Sequence, residues 1–489
     1  MLSAPGAQLD YVPQRAVDHI PMEMGDALKP VKTASVYQAR NRVRFIPTSG
    51  QTFGVGASPA NGSTSINIVI SSPSDWIDMT SATLNFQLQF FYNATAATDT
   101  FGLDDLATSP FQRMRIYGGG TILHDTLYQN VLALAETYAS TPFQVYKSKL
   151  GAEAYAWKFN NDNYGGAKNT PGVRAVAVGN PGGLIGGSTQ VPKAVYDCSI
   201  PMSMFSPLFR MDKLFPLRNI GSLNIVLDMD PNVISNCCFA TAGVVAGTQA
   251  VVLQGVEFRA DLITVSPLVQ AMYDQMCASA EGAPIIGYES PTGLVSSYAG
   301  SNGSASQKAL VYPRVSPSLS HIVTVRRHAA PNQLPSSNGV YLPLSTFELT
   351  GYTAANSVNL LTSNFFAVGS KRVPQDPAPV AQAFGNTCDA FHARQGGFGS
   401  IIDAQNFCGV NNSGSYWDAT AQAQVLAASF ELTRDSDILG TGFNMGGQQL
   451  IQYLTTQEAD NNNYNIYAFI FEHKYLRIAN NTVMVETQL

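Results

Sequence analysis

Residues able to do chemistry are few in this chain, and their spacing argues against a reaction site. The six histidines (His19, His124, His321, His328, His392 and His473) include no pair at zinc-ligand spacing. The six cysteines (Cys198, Cys237, Cys238, Cys277, Cys388 and Cys408) form no C-x-x-C pair. At that density they predict reduced, buried thiols and not a disulfide framework. Asp228-x-Asp230-x-Asn232 imitates the opening of a calcium loop, but Val233 stands where the sharp turn requires glycine. Its plainer reading is a set of polar residues ending a strand. Asp104, Asp105, Glu257, Asp435 and Asp437 are carboxylates a glycosidase could recruit, yet nothing in the sequence pairs them across facing strands. There is no Gly-Lys phosphate loop, no H-E-x-x-H, no G-x-S-x-G and no Gly-x-Gly-x-x-Gly after a strand. The expectation is a protein that is not an enzyme and that needs no cofactor and no metal.

Charge offers a different kind of candidate. Arg40, Arg42 and Arg44 alternate with Val43 and Phe45, which puts three cations on one face of a strand. Such a stripe suits phosphates of a genome or of lipid headgroups. A salt-bridged strand edge is the plainer alternative. Arg326-Arg327-His328 and Lys371-Arg372 carry the same two readings, with pairing to acidic residues of a neighbouring subunit as a third.

The background charge is low. Of 489 residues only 13% are charged, about half of the roughly 25% usual in soluble domains. The apolar share is 45% and the formal net charge is −6. These values exclude a disordered chain and a strongly basic nucleic-acid binder. They suggest that much of the outer surface is buried against partners. The longest apolar run, near Tyr467–Phe471, is far short of a membrane span. The first residues show no charged segment followed by an apolar one, so synthesis inside a cell without secretion is expected. Sequons at Asn61, Asn93, Asn302, Asn411 and Asn480 then indicate loop composition only.

The elements follow from periodicity. Residues 1–39 read as an arm of alternating polar, Pro and Gly residues, and residues 1–50 hold six basic and four acidic residues, an excess of only about two positive charges. Ile66, Ile68 and Ile70 alternate, as do Leu84, Phe86, Leu88 and Phe90, and then Leu223, Ile225 and Leu227; each set predicts a strand with one buried face. Met114 and Ile116 mark another, ended by a turn at Gly118-Gly119-Gly120. Thr126 or Asp125 is expected to cap a helix whose apolar face holds Leu127, Val131, Leu134 and Tyr138. Residues 267–283 read as a connector helix. Beyond it come SHIVTVRRHA, STFELTGY, NLLTSNFFAVG, QVLAASFELTR and NYNIYAFIFEHKYLRIA, the last turning at Ala479-Asn480-Asn481-Thr482 into VMVE. A helix is expected to cross at 378–392. No short-period repeat is present, and irregular strands with long loops suit jelly rolls.

Three segments carry a family resemblance. SPFQRMRIYGGGTILHDTLYQNVLALAE resembles the strand, glycine turn and helix of the first roll of double jelly-roll major capsid proteins. YDCSIPMSMFSPLFRMDKLFPLRNIGSLNIVLDMDP is similar to their apolar segment leading into a strand, and VVLQGVEFRADLITVSP to the last strand before their connector. This is the lineage of adenovirus hexon, tectiviruses, virophages, Polinton-like viruses and nucleocytoplasmic large DNA viruses.

The resemblance implies an all-β fold of two tandem eight-stranded jelly rolls with short helices in loops. The arm would be 1–39, the first roll 40–266 and the second 267–489, with the connector at 267–283. It implies a major capsid protein of the virion, forming pseudo-hexameric homotrimers that tile an icosahedral shell around double-stranded DNA. Its partners would be further copies of itself, penton and minor capsid proteins, and an internal membrane. The arm and the stripe Arg40, Arg42 and Arg44 would lie on the inner face, with little direct genome binding because residues 1–50 together carry so little excess positive charge. Loops 141–195 and 396–422 would form towers or clasps. The competing expectation is a carbohydrate-binding or carbohydrate-hydrolysing β-sandwich, weakened by having only Trp76, Trp157 and Trp417 as stacking platforms.

Overall fold

The computed structural model describes residues 37–57, 62–93, 101–103, 108–140, 194–211, 213–240, 244–279, 283–302, 304–329, 360–378, 386, 390, 425–430, 442–457, 463–480 and 482–487. In its first half the strands are β1 (Tyr37–Phe45), β2 (Thr52–Gly56), β3 (Ser65–Ile70), β4 (Asp75–Phe91), β5 (Phe101–Leu103), β6 (Phe111–Gly118), β7 (Thr121–Leu127), β8 (Ala194–Pro201), β9 (Leu214–Phe215), β10 (Leu223–Met229), β11 (Cys238–Ala240) and β12 (Ala250–Val265). One sheet runs β1-β12-β4-β8, with β2 also on β12 and β9 on β4. The facing sheet runs β3-β10-β6-β7.

Alternation explains this pairing. Ile66, Ile68 and Ile70, then Leu223, Ile225 and Leu227, turn inward and are fully buried, meeting Leu84, Leu88 and Phe90 of β4. Two antiparallel sheets with one apolar face each can bury those faces only against one another. β1 and β2 share one edge of β12, β2 beside Ala250–Gln254 and β1 beside Phe258–Val265. Gly255, at φ 65°, makes the break between them, and its N–H donates to the Gln51 carbonyl at 2.9 Å.

The second half holds β13 (Ile285–Ala299), β14 (Ser306–Tyr312), β15 (Leu319–His328), β16 (Leu360–Val368), β17 (Lys371–Ala378), β18 (Val425–Ser429), β19 (Leu450–Gln457), β20 (Asn463–Ala479) and β21 (Thr482–Glu486). Its sheets run β13-β20-β15-β18, with β21 on β20, and β14-β19-β16-β17. Counting β1, β3, β4, β6, β7, β8, β10 and β12 as the eight principal strands of the first half, both halves have one order. The first strand lies beside the eighth, then the third and the sixth; the second lies beside the seventh, then the fourth and the fifth. That winding is a jelly roll, and the chain is all-β with two of them in tandem.

The rolls share material at their junction. Gly293 of β13 lies so close to β7 that a Cβ there would stand 2.2 Å from the Leu127 carbonyl oxygen. Thr126 Oγ1 donates to the Pro291 carbonyl at 3.0 Å, and the Tyr288 hydroxyl donates to the Leu123 carbonyl at 2.9 Å. The core of the first roll takes in Ile286, Tyr288, Leu476 and Ile478 of the second, with Val483 and Val485 packed against it. In return, Val131, Leu132 and Ala135 of the helix Gln129–Ser140 enter the second core. The connector helix Pro267–Cys277 begins with Ser266 accepting from the Val269 N–H, and Pro267 occupies its first turn.

Several expectations are corrected or fall elsewhere. β1 begins at Tyr37, so residues 37–39 belong to the sheet and not to the arm; Tyr37 pairs with Val265. Thr126 and Asp125 do not cap a helix, because both lie in β7, where Asp125 pairs with Arg113 and Thr126 is buried at the junction. Tyr128, at φ 58°, turns the chain, and the helix starts at Gln129. β19 escapes a period-two reading because Gln452 sits on its inner face. The buried Gln452 accepts from the Tyr312 hydroxyl at 2.8 Å and donates to Asn364 Oδ1 at 2.9 Å. The arm 1–36, the strand STFELTGY, the loop 396–422 and the loop 141–195 up to residue 193 lie outside the described residues, as does nearly all of 379–392.

The junction gives a direct test. Gly293→Ala forces the two backbones apart and is expected to cost about 1–3 kcal/mol, read as a lowered thermal midpoint. Val295→Ala, on the same strand but 44% exposed, should change stability by less than about 0.5 kcal/mol.

Candidate functional site

Among the described residues no three His, Cys, Asp or Glu side chains gather where they could hold a metal ion. Asp228 accepts from Ser65 Oγ at 2.7 Å and pairs with Arg115 at 2.8 Å, while Asp230 accepts from the Asn232 N–H and from Asn236 Nδ2. Both are thus engaged in closing a strand end. Cys238 and Cys277 are buried and Cys198 is partly buried, all three carrying thiols. Burial pushes those of Cys198 and Cys277 up to about 12, with Asp197 and Asp274 adding to the effect, so neither is a nucleophile. No helix among the described residues is long and apolar enough to cross a membrane. Trp76 is 1% exposed, its indole N–H donating to Gln270, so it offers no stacking platform to a sugar. Trp157, Trp417, Asp104, Asp105, Asp435 and Asp437 lie outside the described residues.

The structure does bring Arg40, Arg42 and Arg44 together on the outer face of the first sheet, with carboxylates between them. Arg40 Nε donates to Asp261 Oδ2 at 2.7 Å, and its guanidinium also reaches Asp78 at 3.6 Å. Arg42 Nη1 donates to Asp261 Oδ1 at 3.1 Å and to the Ser81 carbonyl at 2.8 Å, while its Nη2 donates to Thr83. Arg44 lies 3.4 Å from Glu257, which also pairs with Arg259. Burial alone would raise the Asp261 carboxyl, but the hydrogen bonds and charges of Arg40 and Arg42 outweigh it and hold the group below its ordinary value. Four arginines thus share three carboxylates, leaving one excess positive charge. Arg40 and Arg44 nonetheless stay 60% exposed at their side chains.

The partners were visible as a pattern: Glu257, Arg259 and Asp261 alternate along β12. Only the register, Arg42 beside Asp261 and Arg44 beside Arg259, sets them against the stripe. The other basic runs go elsewhere. Arg326 is buried. Lys371 sits 4.0 Å from the Phe443 ring centroid, and Arg372 lies 5.3 Å from that of Phe365, which stacks on Tyr453. Side chains of Arg327 and His328 are outside the described set.

Interior polar groups are wired between elements. Arg314 grips the fully buried Glu472 through two bonds of 2.8 and 2.7 Å, and Arg210 pairs with Glu136 of the helix after β7. His124 lies between Ser206 and Thr126. Thr126 spends its proton on Pro291, so the network assigns a hydrogen to His124 Nε2 and leaves Nδ1 to accept from Ser206. Burial, and next the charge of Lys474, lower His124 to about 3. Burial, then His473 and Arg210, do the same to His321, although Glu289 lies 3.7 Å away. Both imidazoles are therefore neutral in the fold.

No protein-family model matches the chain, and no curated protein matches its sequence. Solved structures do resemble it. A chain of the Sputnik virophage aligns with 94% of this chain and 90% of its own at TM-score 0.55 and 12% identity. The mavirus major capsid protein aligns over 100% of this chain and 96% of its own, at TM-score 0.50 and 14% identity. The Faustovirus major capsid protein covers 91% of this chain and 92% of its own, at TM-score 0.50 and 11% identity. At such identities the likeness establishes the fold. The class so defined is the double jelly roll, the architecture of viral major capsid proteins, and it spans nearly the whole chain.

Two measurements check this account. Both histidines bind a proton more readily unfolded, near pH 6.5, than folded, near pH 3. Their contribution to stability is therefore complete above pH 6.5 and lost as pH falls, by about 1.4 kcal/mol per unit for each. Glu136, raised mainly by burial against the offsetting charge of Arg210, acts in the opposite sense and offsets part of the loss. Denaturant melts from pH 7 to 4.5 should show net loss, and His124→Gln should shrink the slope by about one proton. Separately, Asp261→Asn with Glu257→Gln should release the stripe. With duplex DNA used as a probe polyanion, the variant's log–log salt slope should exceed that of the unmodified chain by roughly 0.9 for each arginine freed.

Proposed function

We propose that this chain is a major capsid protein of a virion, acting as a structural element and not as an enzyme. The observation that carries the reading is the repetition of one eight-strand winding in both halves, matched end to end by the mavirus major capsid protein. Two rolls of equal rank in one chain give a three-chain ring six similar units. Such a homotrimer has a pseudo-hexameric outline and can tile an icosahedral shell around double-stranded DNA. We place the division between the rolls at the connector helix, with the second beginning at Pro267.

The charge distribution supports a partner list headed by other copies of the same chain. Obligate interfaces bury roughly 2,000 Å² or more and are poor in charge, and 13% charged residues across the chain suits that use. Several charges on the sheet faces are matched nearby, as in Arg113 with Asp125 and Arg115 with Asp228. The compensated stripe at Arg40, Arg42 and Arg44 fits the inner face of a shell that touches its genome weakly. Penton and minor capsid proteins, or a membrane beneath the shell, complete the proposed set of contacts, after synthesis inside a host cell.

Mass photometry of the purified chain, combined with negative-stain imaging, tests the proposal. The expected result is three times 52.3 kDa and a hexagonal projection. A stable monomer at micromolar concentration that assembles at no salt concentration would overturn it.

A further inference from the structure

Two buried imidazoles, one from each roll, each face a cation of the other roll. His124, on β7 of the first roll, bonds Thr126, whose hydroxyl donates to the Pro291 carbonyl of the second. Next to Pro291, Ser290 accepts from Lys474 Nζ at 3.1 Å. Tyr288, opposite Lys474 in register, donates to the carbonyl of Leu123 beside His124. Lys474 is thus the cation facing His124, with Asp125 as the opposing charge. His321, on β15 of the second roll, is reached by the charge of Arg210, from the first roll's short helix Pro207–Arg210. His473 of β20 also faces it, and Glu289 of β13 stands 3.7 Å from its Nδ1.

Neither ring has room for a second proton's charge. Ser320 gives its hydrogen to Glu289, so the network assigns a hydrogen to His321 Nδ1, which donates to Ser320. His321 Nε2 then has no hydrogen-bond partner, and a proton placed there meets no acceptor. At His124, Nδ1 is already occupied as the acceptor of Ser206. The carboxylates nearby are engaged: Asp125 with Arg113, Glu136 with Arg210, Glu472 with Arg314, and Glu289 with Ser320. Charging either ring therefore sets it against a cation of the other roll, away from water. Parting the rolls returns ring and cation to solvent together.

We propose that the junction is an acid-sensitive latch: on acidification the two rolls part along β7 and β13 while each sandwich keeps its strands. At neutral pH the seam is held shut by Ile286, Tyr288, Leu476 and Ile478, which parting would expose. Both rings bind a proton more readily when parted, near pH 6.5, than when joined, near pH 3, so falling pH favours parting. Glu136, raised mainly by burial, opposes this with one proton against two. Acid weakens the fold as a whole, and the latch confines the first step to this seam. It requires no shell and no second copy.

Hydroxyl-radical footprinting of the full-length protein, read by mass spectrometry from pH 7 downward beside far-UV circular dichroism, tests the latch. Tyr288 and Leu476 belong to the second roll and are buried in the first core, whereas Trp76 and Tyr312 are each buried within one roll. Labelling of Tyr288 and Leu476 should rise at least about tenfold at a pH where the dichroism is unchanged. Trp76 and Tyr312 should change less than about twofold there. In His124→Gln with His321→Gln, the rise should need a pH lower by about one unit or more. Lys474→Met, which removes the cation facing His124, should shift it the same way and serves if the double variant does not fold. Labelling of all four residues only as dichroism is lost, or no rise while the chain stays folded, overturns the proposal. An unchanged onset in either folded variant overturns it too.

Discussion

The approach of β13 to β7 at Gly293 is the constraint on which the rest of the molecule depends. No side chain fits there, since the Leu127 carbonyl occupies the place of a Cβ. Backbones held that close leave room for Tyr288 and Thr126 to bond across, and for the ends of β20 and β21 to complete the first core. The helix after β7 is thrown the other way, into the second core. Each roll thus contains apolar material that only the other supplies. Sliding or rotation between them would expose buried surface on both sides, so two jelly rolls behave as one rigid block. For a proposed shell component, that rigidity is what would transmit load across a single chain.

The same economy governs charge. Where acidic groups go inside they arrive with partners, as Glu472 does with Arg314 and Glu136 with Arg210, because an unpaired buried carboxylate would be costly. The interior histidines stay neutral, each held by hydroxyl groups and not by a counter-charge dominating its environment. On the sheets of the first roll, arginines of β1 and β6 meet carboxylates on neighbouring strands. On the face that carries the arginine stripe, the charges therefore largely cancel locally. For the proposed shell component, such a face would collect nucleic acid weakly and would suit packing against copies of the chain.

Strands with strict alternation were legible from the sequence because period two is a local property. Ile66, Ile68 and Ile70, the run of β20, and the turn at Asn480 needed no knowledge of partners. The resemblance to capsid proteins likewise rested on local apolar and turn patterns, and the fold agrees with it. The misplaced helix start at Thr126 has a physical cause. The tail of β7 looks amphipathic in either period, and its burial against Pro291, 165 residues away, decides for the strand. β19 was hidden for a similar reason, since Gln452 is tolerated inside only by Tyr312 and Asn364 of other strands.

By itself, then, the sequence determined the all-β character, the division into two similar halves, the absence of recognisable catalytic motifs and the low charge. Those follow from composition and short-range pattern. Tertiary structure decided what the arginine stripe is: its neutralising partners lie some two hundred positions away on β12, and only the pairing of β1 with β12 sets Arg42 opposite Asp261. It also decided that the two rolls share their cores, because a contact at Gly293 that excludes a side chain is a fact about two backbones meeting in space. No window along one chain contains both.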